Sequence, residues 1–214
     1  MKAFIYSIIS VFVLFFVEQF LEVNYVIKTI TKIGLFLIIP IVITKNLAFL
    51  KRSTSSWSSR IVTISIAFSG FFGIFIAYWI LQNYIDPVAI VTDLTVRLEI
   101  SPTTFIFVGM YICLCNSFIE EFFFRGWLIQ MLSPFSRIGA YTISSLLFAI
   151  YHIAIFITWF HWGITLLALV GLFIVGFIFC LVNEKSKSIY HSWFIHFMAN
   201  VAIIIIGLQL FSLI

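Results

Sequence analysis

Charge is what this sequence has least of. Only 9% of its 214 residues are Asp, Glu, Lys or Arg, where a soluble globular domain carries about 25%. With 63% apolar residues and a mean hydropathy of +1.20, that scarcity excludes a soluble domain. Cysteine is scarce as well. Cys113, Cys115 and Cys180 all lie in apolar runs, and an odd number without a CxxC pair excludes a disulfide framework and a zinc knuckle. The zinc-protease signature HExxH is missing. There is no internal repeat and no low-complexity tract. No small-residue cleavage site follows Met1-Lys2, so the first apolar run reads as a membrane span and not as a signal peptide. The net charge of +4 bears on where charges sit in the chain. It is not a nucleic-acid signal, and no nucleic-acid partner is expected.

What is present is an all-α, polytopic transmembrane helix bundle. A span needs about 20 apolar residues, and seven segments qualify: 3–22, 31–47, 61–82, 104–131, 138–158, 162–183 and 188–212. The second is the weakest, because its charge-free core is short and holds Pro40. It reads as a re-entrant or tilted element as readily as a full crossing. Residues 81–102 are more polar and are expected at the interface as a short amphipathic piece. The chain thus divides into N-terminal helices with an interfacial segment (1–103) and a four-helix core (104–214). Positive charge marks cytoplasmic loops. Lys45, Lys51, Arg52 and Arg60 fall on the same side as Lys2, Arg137, Lys185 and Lys187. The other side receives Lys28, Lys32 and Arg97, offset by Glu18, Glu22, Asp86, Asp93 and Glu99. The N-terminus is therefore expected in the cytoplasm and the C-terminus across the membrane, although Lys28 and Lys32 blur the asymmetry.

Inside the spans the exceptions are few. From Phe105 to Leu132 the only charges are Glu120, Glu121 and Arg125. An ionised group at bilayer depth costs a few kcal/mol, and such groups face the bundle interior and pair with one another. At 1.5 Å rise per residue, Glu120, His152, His196 and Asn200 lie roughly 16, 21, 12 and 18 Å deep in three different spans. One shared site is the simplest arrangement. Glu121 and Arg125 are spaced i,i+4 and can pair, whereas Glu120 is turned about 140° from Arg125. Arg125 is therefore expected to neutralise Glu121 and leave Glu120 free for the site. His196 and Asn200 share a face at i,i+4, and Phe148 can wall His152 at the same spacing. A carboxylate in a medium of low dielectric serves as a general base. A histidine opposite it can hold a water, and a second histidine and an amide can donate to an oxyanion. Read singly, the charges could be a structural cluster and the histidines interhelical hydrogen-bonding residues. His161 reads as a loop residue in an aromatic belt, His191 as interfacial, Phe122–Phe124 as lipid-facing or packing bulk, and the cysteines as core filler.

These residues form three motifs: EEFFFR at Glu120–Arg125, FAIYH at Phe148–His152 and HFMAN at His196–Asn200. In them the chain resembles the CPBP intramembrane endopeptidases, the family of the CAAX prenyl proteases and of bacteriocin self-immunity proteins. That family's pattern is EExxxR on one span, FxxxH on the next, and HxxxN or HxxxD on a later one. The resemblance implies that Glu120 and His152 activate a water, that His196 and Asn200 form the oxyanion site, and that Glu121 and Arg125 support the helix. It implies a membrane-associated peptide or protein substrate, lipidated or not, in a lipid bilayer; the hydrophobic loops and small size suggest that this is a bacterial plasma membrane. Glu120, His152 and His196 can also be read as zinc ligands. A metal-free site is the expectation, because Asn200 is a poor zinc ligand and a good donor. Two other functions compete. One is a non-catalytic immunity or binding protein of the same fold. The other is a transporter or proton relay, which predicts paired broken helices and internal symmetry.

Overall fold

The computed structural model describes residues 2–21, 23–44, 46–50 and 55–214. Among them the regular structure is helical. Seven helices are long and apolar enough to cross a membrane: α1 (Lys2–Phe20), α2 (Tyr25–Thr44), α3 (Trp57–Tyr84), α5 (Pro102–Leu132), α6 (Arg137–Phe156), α7 (Trp162–Ser186) and α8 (Tyr190–Leu210). A short helix, α4 (Pro87–Thr92), lies between α3 and α5. The chain is an integral membrane protein built as a polytopic helical bundle. Helix starts are capped by polar side chains that take up otherwise orphaned backbone N–H groups. Ser56 caps α3, Asp86 caps α4 ahead of Pro87, and Ser136 caps α6. Ser101 and Thr104 form a reciprocal capping box on α5, with Pro102 at the first helical position.

The second span differs from its expected form. It is a continuous helix of 20 residues, not a re-entrant element, and it starts at Tyr25, where Asn24 accepts a hydrogen bond from the Ile27 N–H at 3.2 Å. Lys28 and Lys32 are therefore inside a span and are not loop charges. Lys28 is buried and pairs with Glu18 of α1 at 2.8 Å. Hydropathy hid this start because it counts a paired lysine as it counts a solvated one. Glu22, Lys45, Lys51 and Arg52, which entered the charge asymmetry, lie outside the described residues.

The polar stretch before α5 packs as an interfacial cap. Ile90, Leu94, Leu98 and Ile100 are buried together with Phe105. Arg97 bonds Asp93 at 2.6 Å and Glu18 at 2.9 Å, and the Trp159 indole donates to Asp93 at 2.7 Å. Burial pushes the Asp93 carboxyl up, but Arg97 and Trp159 outweigh it and hold the group below the ordinary carboxylate value. Glu18, Lys28, Asp93 and Arg97, assigned to one membrane face by the sequence, thus meet at one end of the bundle.

Helix α5 runs through the core. Phe122, Phe123, Phe124, Trp127 and Leu128 are at most 1% exposed, so the three phenylalanines are packing bulk and do not face lipid. Phe36 of α2 stacks on Phe123 with ring centroids 4.1 Å apart. Both helices carry wide π-helical turns at this contact, Gly34–Ile38 in α2 and Phe122–Leu128 in α5. Such turns displace backbone groups from the regular ladder, and the Ser144 hydroxyl donates to the Phe124 carbonyl at 2.8 Å. Small residues let α6 and α7 approach closely. A Cβ built on Gly176 would stand 3.2 Å from Ser145 and 2.9 Å from the Arg125 guanidinium. Cys113 and Cys180 fill core as expected, but Cys115 is exposed.

A seven-span path places residue 55 and residue 212 on opposite faces, and the charge asymmetry of the sequence leads us to propose that residue 55 is the cytoplasmic one. In a chain without its native cysteines, Ser55→Cys should label from the cytoplasmic side only and Ser212→Cys from the other side only. Labelling of both from one side would remove a crossing and overturn this topology.

Candidate active site

Glu120 and Glu121 stand next to each other on α5, 1% and 0% exposed. One helical step turns them to different neighbours. The Glu120 carboxylate points between α6 and α8. Its Oε2 lies 3.5 Å from His152 Nε2 and 3.7 Å from His196 Nε2, and it has no hydrogen-bond partner. Each imidazole is oriented from behind. His152 Nδ1 is 2.8 Å from the Phe148 carbonyl, and a carbonyl only accepts, so Nδ1 carries the hydrogen. His196 Nδ1 donates to Glu121 Oε1 at 3.1 Å. In the neutral rings both Nε2 lone pairs therefore face Glu120 Oε2. Two nitrogens and one oxygen, all able to accept, surround a gap slightly too wide for direct bonds.

The FxxxH spacing has two uses here. The Phe148 backbone sets the His152 tautomer, and its ring packs 4.3 Å from the His152 ring and 5.6 Å from the His196 ring. The expected wall is present, with a backbone role added to it. Glu121 also does two things. It meets Arg125 at 3.3 Å, as i,i+4 spacing anticipated, and it orients His196. The Arg125 guanidinium lies 3.8 Å over Phe148 and 5.1 Å from Phe179, a cation–π cage. Asn200 is one turn from His196 on α8, and its amide donates to the Ile112 carbonyl at 3.3 Å. That carbonyl belongs to another π-helical turn of α5, Ile112–Asn116. Glu120, His152 and His196 thus converge, and Asn200 stands beside them along α8. His191 bonds Thr63 at 2.6 Å and His161 caps α7, so neither enters the site.

Two members of the site were not foreseen. Lys32 of α2 reaches Glu120 Oε1 at 3.3 Å and also donates to the Asn116 side-chain oxygen. The Asn116 amide in turn donates to Glu120 Oε1 at 2.8 Å. Glu120 is therefore not as free as expected: one of its oxygens is held and the other is open. The i,i+4 spacing of Asn116 and Glu120 was a usable signal for the first of these residues. Nothing local signalled Lys32.

The donor set also fits a metal ion. One ligand atom from each of Glu120, His152 and His196 lies within 4.8 Å of the others. Second partners on both Nδ1 atoms are what metal-binding histidines usually have, and three protein ligands with an open position suit catalytic zinc. The bare Glu120 Oε2 would accept equally well from a water.

Residues 102–202 match the family model described as type II CAAX prenyl endopeptidase Rce1-like. No curated protein and no solved structure matches the chain. The family is one of intramembrane proteases that act on membrane-associated substrates. The matched segment opens at the first residue of α5 and contains both glutamates, both histidines of the site and Asn200. Over this segment, just under half of its length, the chain is similar to the Rce1-like type II CAAX prenyl endopeptidases.

Proposed function

We propose that the protein is an intramembrane endopeptidase that hydrolyses a peptide bond of a membrane-associated substrate with a water activated at Glu120 and His152. The observation that carries this reading is the unpartnered Glu120 Oε2, 3.5 and 3.7 Å from two Nε2 lone pairs. A water placed among them gives one hydrogen to the carboxylate and the other to His152 Nε2. Its oxygen lone pair is then directed at a peptide carbonyl. Glu120 takes the proton as the C–O bond forms and passes it to the amine nitrogen as the C–N bond breaks.

Asn200 serves the oxyanion. Its Nδ2 has a second N–H beyond the one given to Ile112. His196 has its Nδ1 hydrogen committed to Glu121, so it can donate from Nε2 only as the imidazolium, with Glu121 balancing the charge. A zinc ion bound by Glu120, His152 and His196 would instead supply Lewis-acid polarisation and a more acidic water. The metal-free reading is preferred because it alone gives Asn200 a task.

The test is the purified full chain in proteoliposomes with a farnesylated peptide ending in a CAAX tetrapeptide, in which a lipidated cysteine is followed by three residues. Mass spectrometry should find the terminal tripeptide released, and release should survive exhaustive dialysis against a strong zinc chelator. Activity lost to the chelator and restored by stoichiometric zinc would overturn the metal-free mechanism and make the three residues ligands. No cleavage of this peptide or of its unlipidated form, with no new peptide in membranes of expressing cells, would overturn the peptidase.

A further inference from the structure

Glu120 uses its two oxygens differently. Oε1 takes hydrogen bonds from Asn116 and Lys32, whereas Oε2, the oxygen facing both imidazoles, takes none. Lys32 comes from α2, outside the segment that carries the family motifs. Its side chain is 14% exposed, and its ammonium lies 5.0 Å over the Tyr151 ring. A lysine in a span is expensive unless it is paired. Lys28, one turn earlier, is occupied by Glu18, so the two lysines are matched to different acids.

The Asn116 side chain fixes the geometry. Its oxygen accepts from Lys32 and its nitrogen donates to Glu120, so ammonium, amide and carboxylate close a ring. A glutamate side chain has several rotatable bonds. Two donors on one oxygen remove that freedom and leave the other oxygen pointing at the reacting water.

We infer that Lys32, with Asn116, is a positioning residue for the hydrolytic reaction: it anchors Glu120 Oε1 so that Oε2 is presented as the base, and α2 is thereby part of the active site. This inference rests on the peptidase reading above. A residue that only tied α2 to α5 would change stability and leave turnover of the folded enzyme intact.

The experiment compares Lys32→Met, Lys32→Arg and Glu120→Gln in proteoliposomes with the farnesylated CAAX peptide. Lys32→Met should lower kcat about 10²-fold, the cost of a misplaced reacting group, with KM nearly unchanged. Lys32→Arg keeps a cationic donor and should recover most of the rate. Wild-type kcat in folded Lys32→Met, beside an inactive Glu120→Gln, would overturn the inference and leave the peptidase standing. Wild-type activity in Glu120→Gln would instead remove Glu120 as the base, and no cleavage by the wild type would remove the peptidase reading itself. A second measurement needs no turnover. Thermal melting of Lys32→Met, Glu120→Gln and the double variant should show losses smaller than additive, because each single change leaves one buried charge without its counter-charge and the double variant leaves neither. Additive losses would overturn the anchoring contact.

Discussion

Glu120→Gln should abolish cleavage while the protein inserts and folds as before. The substitution nearly preserves shape. The new amide oxygen can keep the bonds from Lys32 and Asn116, and the new NH2 group can donate to the two Nε2 atoms that now face Oε2 at 3.5 and 3.7 Å. It supplies hydrogen where the mechanism needs a lone pair, so it removes the base and also occupies the space of the water. A general base is worth roughly 10²–10⁴-fold. A variant retaining more than about a tenth of the wild-type rate would sink the assignment. The check is the initial rate of tripeptide release, together with mass spectrometry of peptides from cells expressing either form. If a biological role of the chain were unchanged in Glu120→Gln, a non-catalytic binding protein would be the better account.

Much of this site can be read from the sequence because membranes make polar residues costly. Each ionisable group in α5, α6 and α8 needs a partner at its own depth, which is why Glu120, His152 and His196 could be grouped before any coordinates. The i,i+4 pairs inside one helix were equally legible: Glu121 with Arg125, and Phe148 behind His152. Contacts between helices distant in sequence were not. Lys32 and Glu120 are 88 positions apart, and only the packing of α2 on α5 brings them together. Hydropathy obscured the same contact, because the charges that shortened the apparent second span are the ones it carries into the interior. The double use of Glu121, on Arg125 and on His196, was hidden for a similar reason. Spacing along one helix says nothing about a third helix that approaches from the side. The wide turns at Gly34–Ile38, Ile112–Asn116 and Phe122–Leu128 have no composition signal, yet they set which carbonyls are free for Ser144 and Asn200.

Arg125→Met should act chiefly on stability, and by a large amount. Arg125 is 4% exposed and Glu121 fully buried, with Arg125 the cation at 3.3 Å. Removing one member of a buried ion pair typically costs about 3–5 kcal/mol, because the remaining charge stays desolvated. Methionine matches much of the side-chain length and can keep contact with Phe148 and Phe179, so the loss reports the charge more than a cavity. Gly176 shows how closely the site is built around this arginine, since even a methyl group there would crowd it. Glu121→Gln should also destabilise, and it should slow turnover in addition, because Glu121 orients His196. The double variant Glu121→Gln, Arg125→Met should lose less stability than the sum of the two single changes, since neither leaves a buried charge for the other to have balanced. Melting in detergent by tryptophan fluorescence measures all four states of the cycle. Additive shifts would mean that the guanidinium is held by the rings of Phe124, Phe148 and Phe179 alone and that Glu121 is balanced by His196 instead.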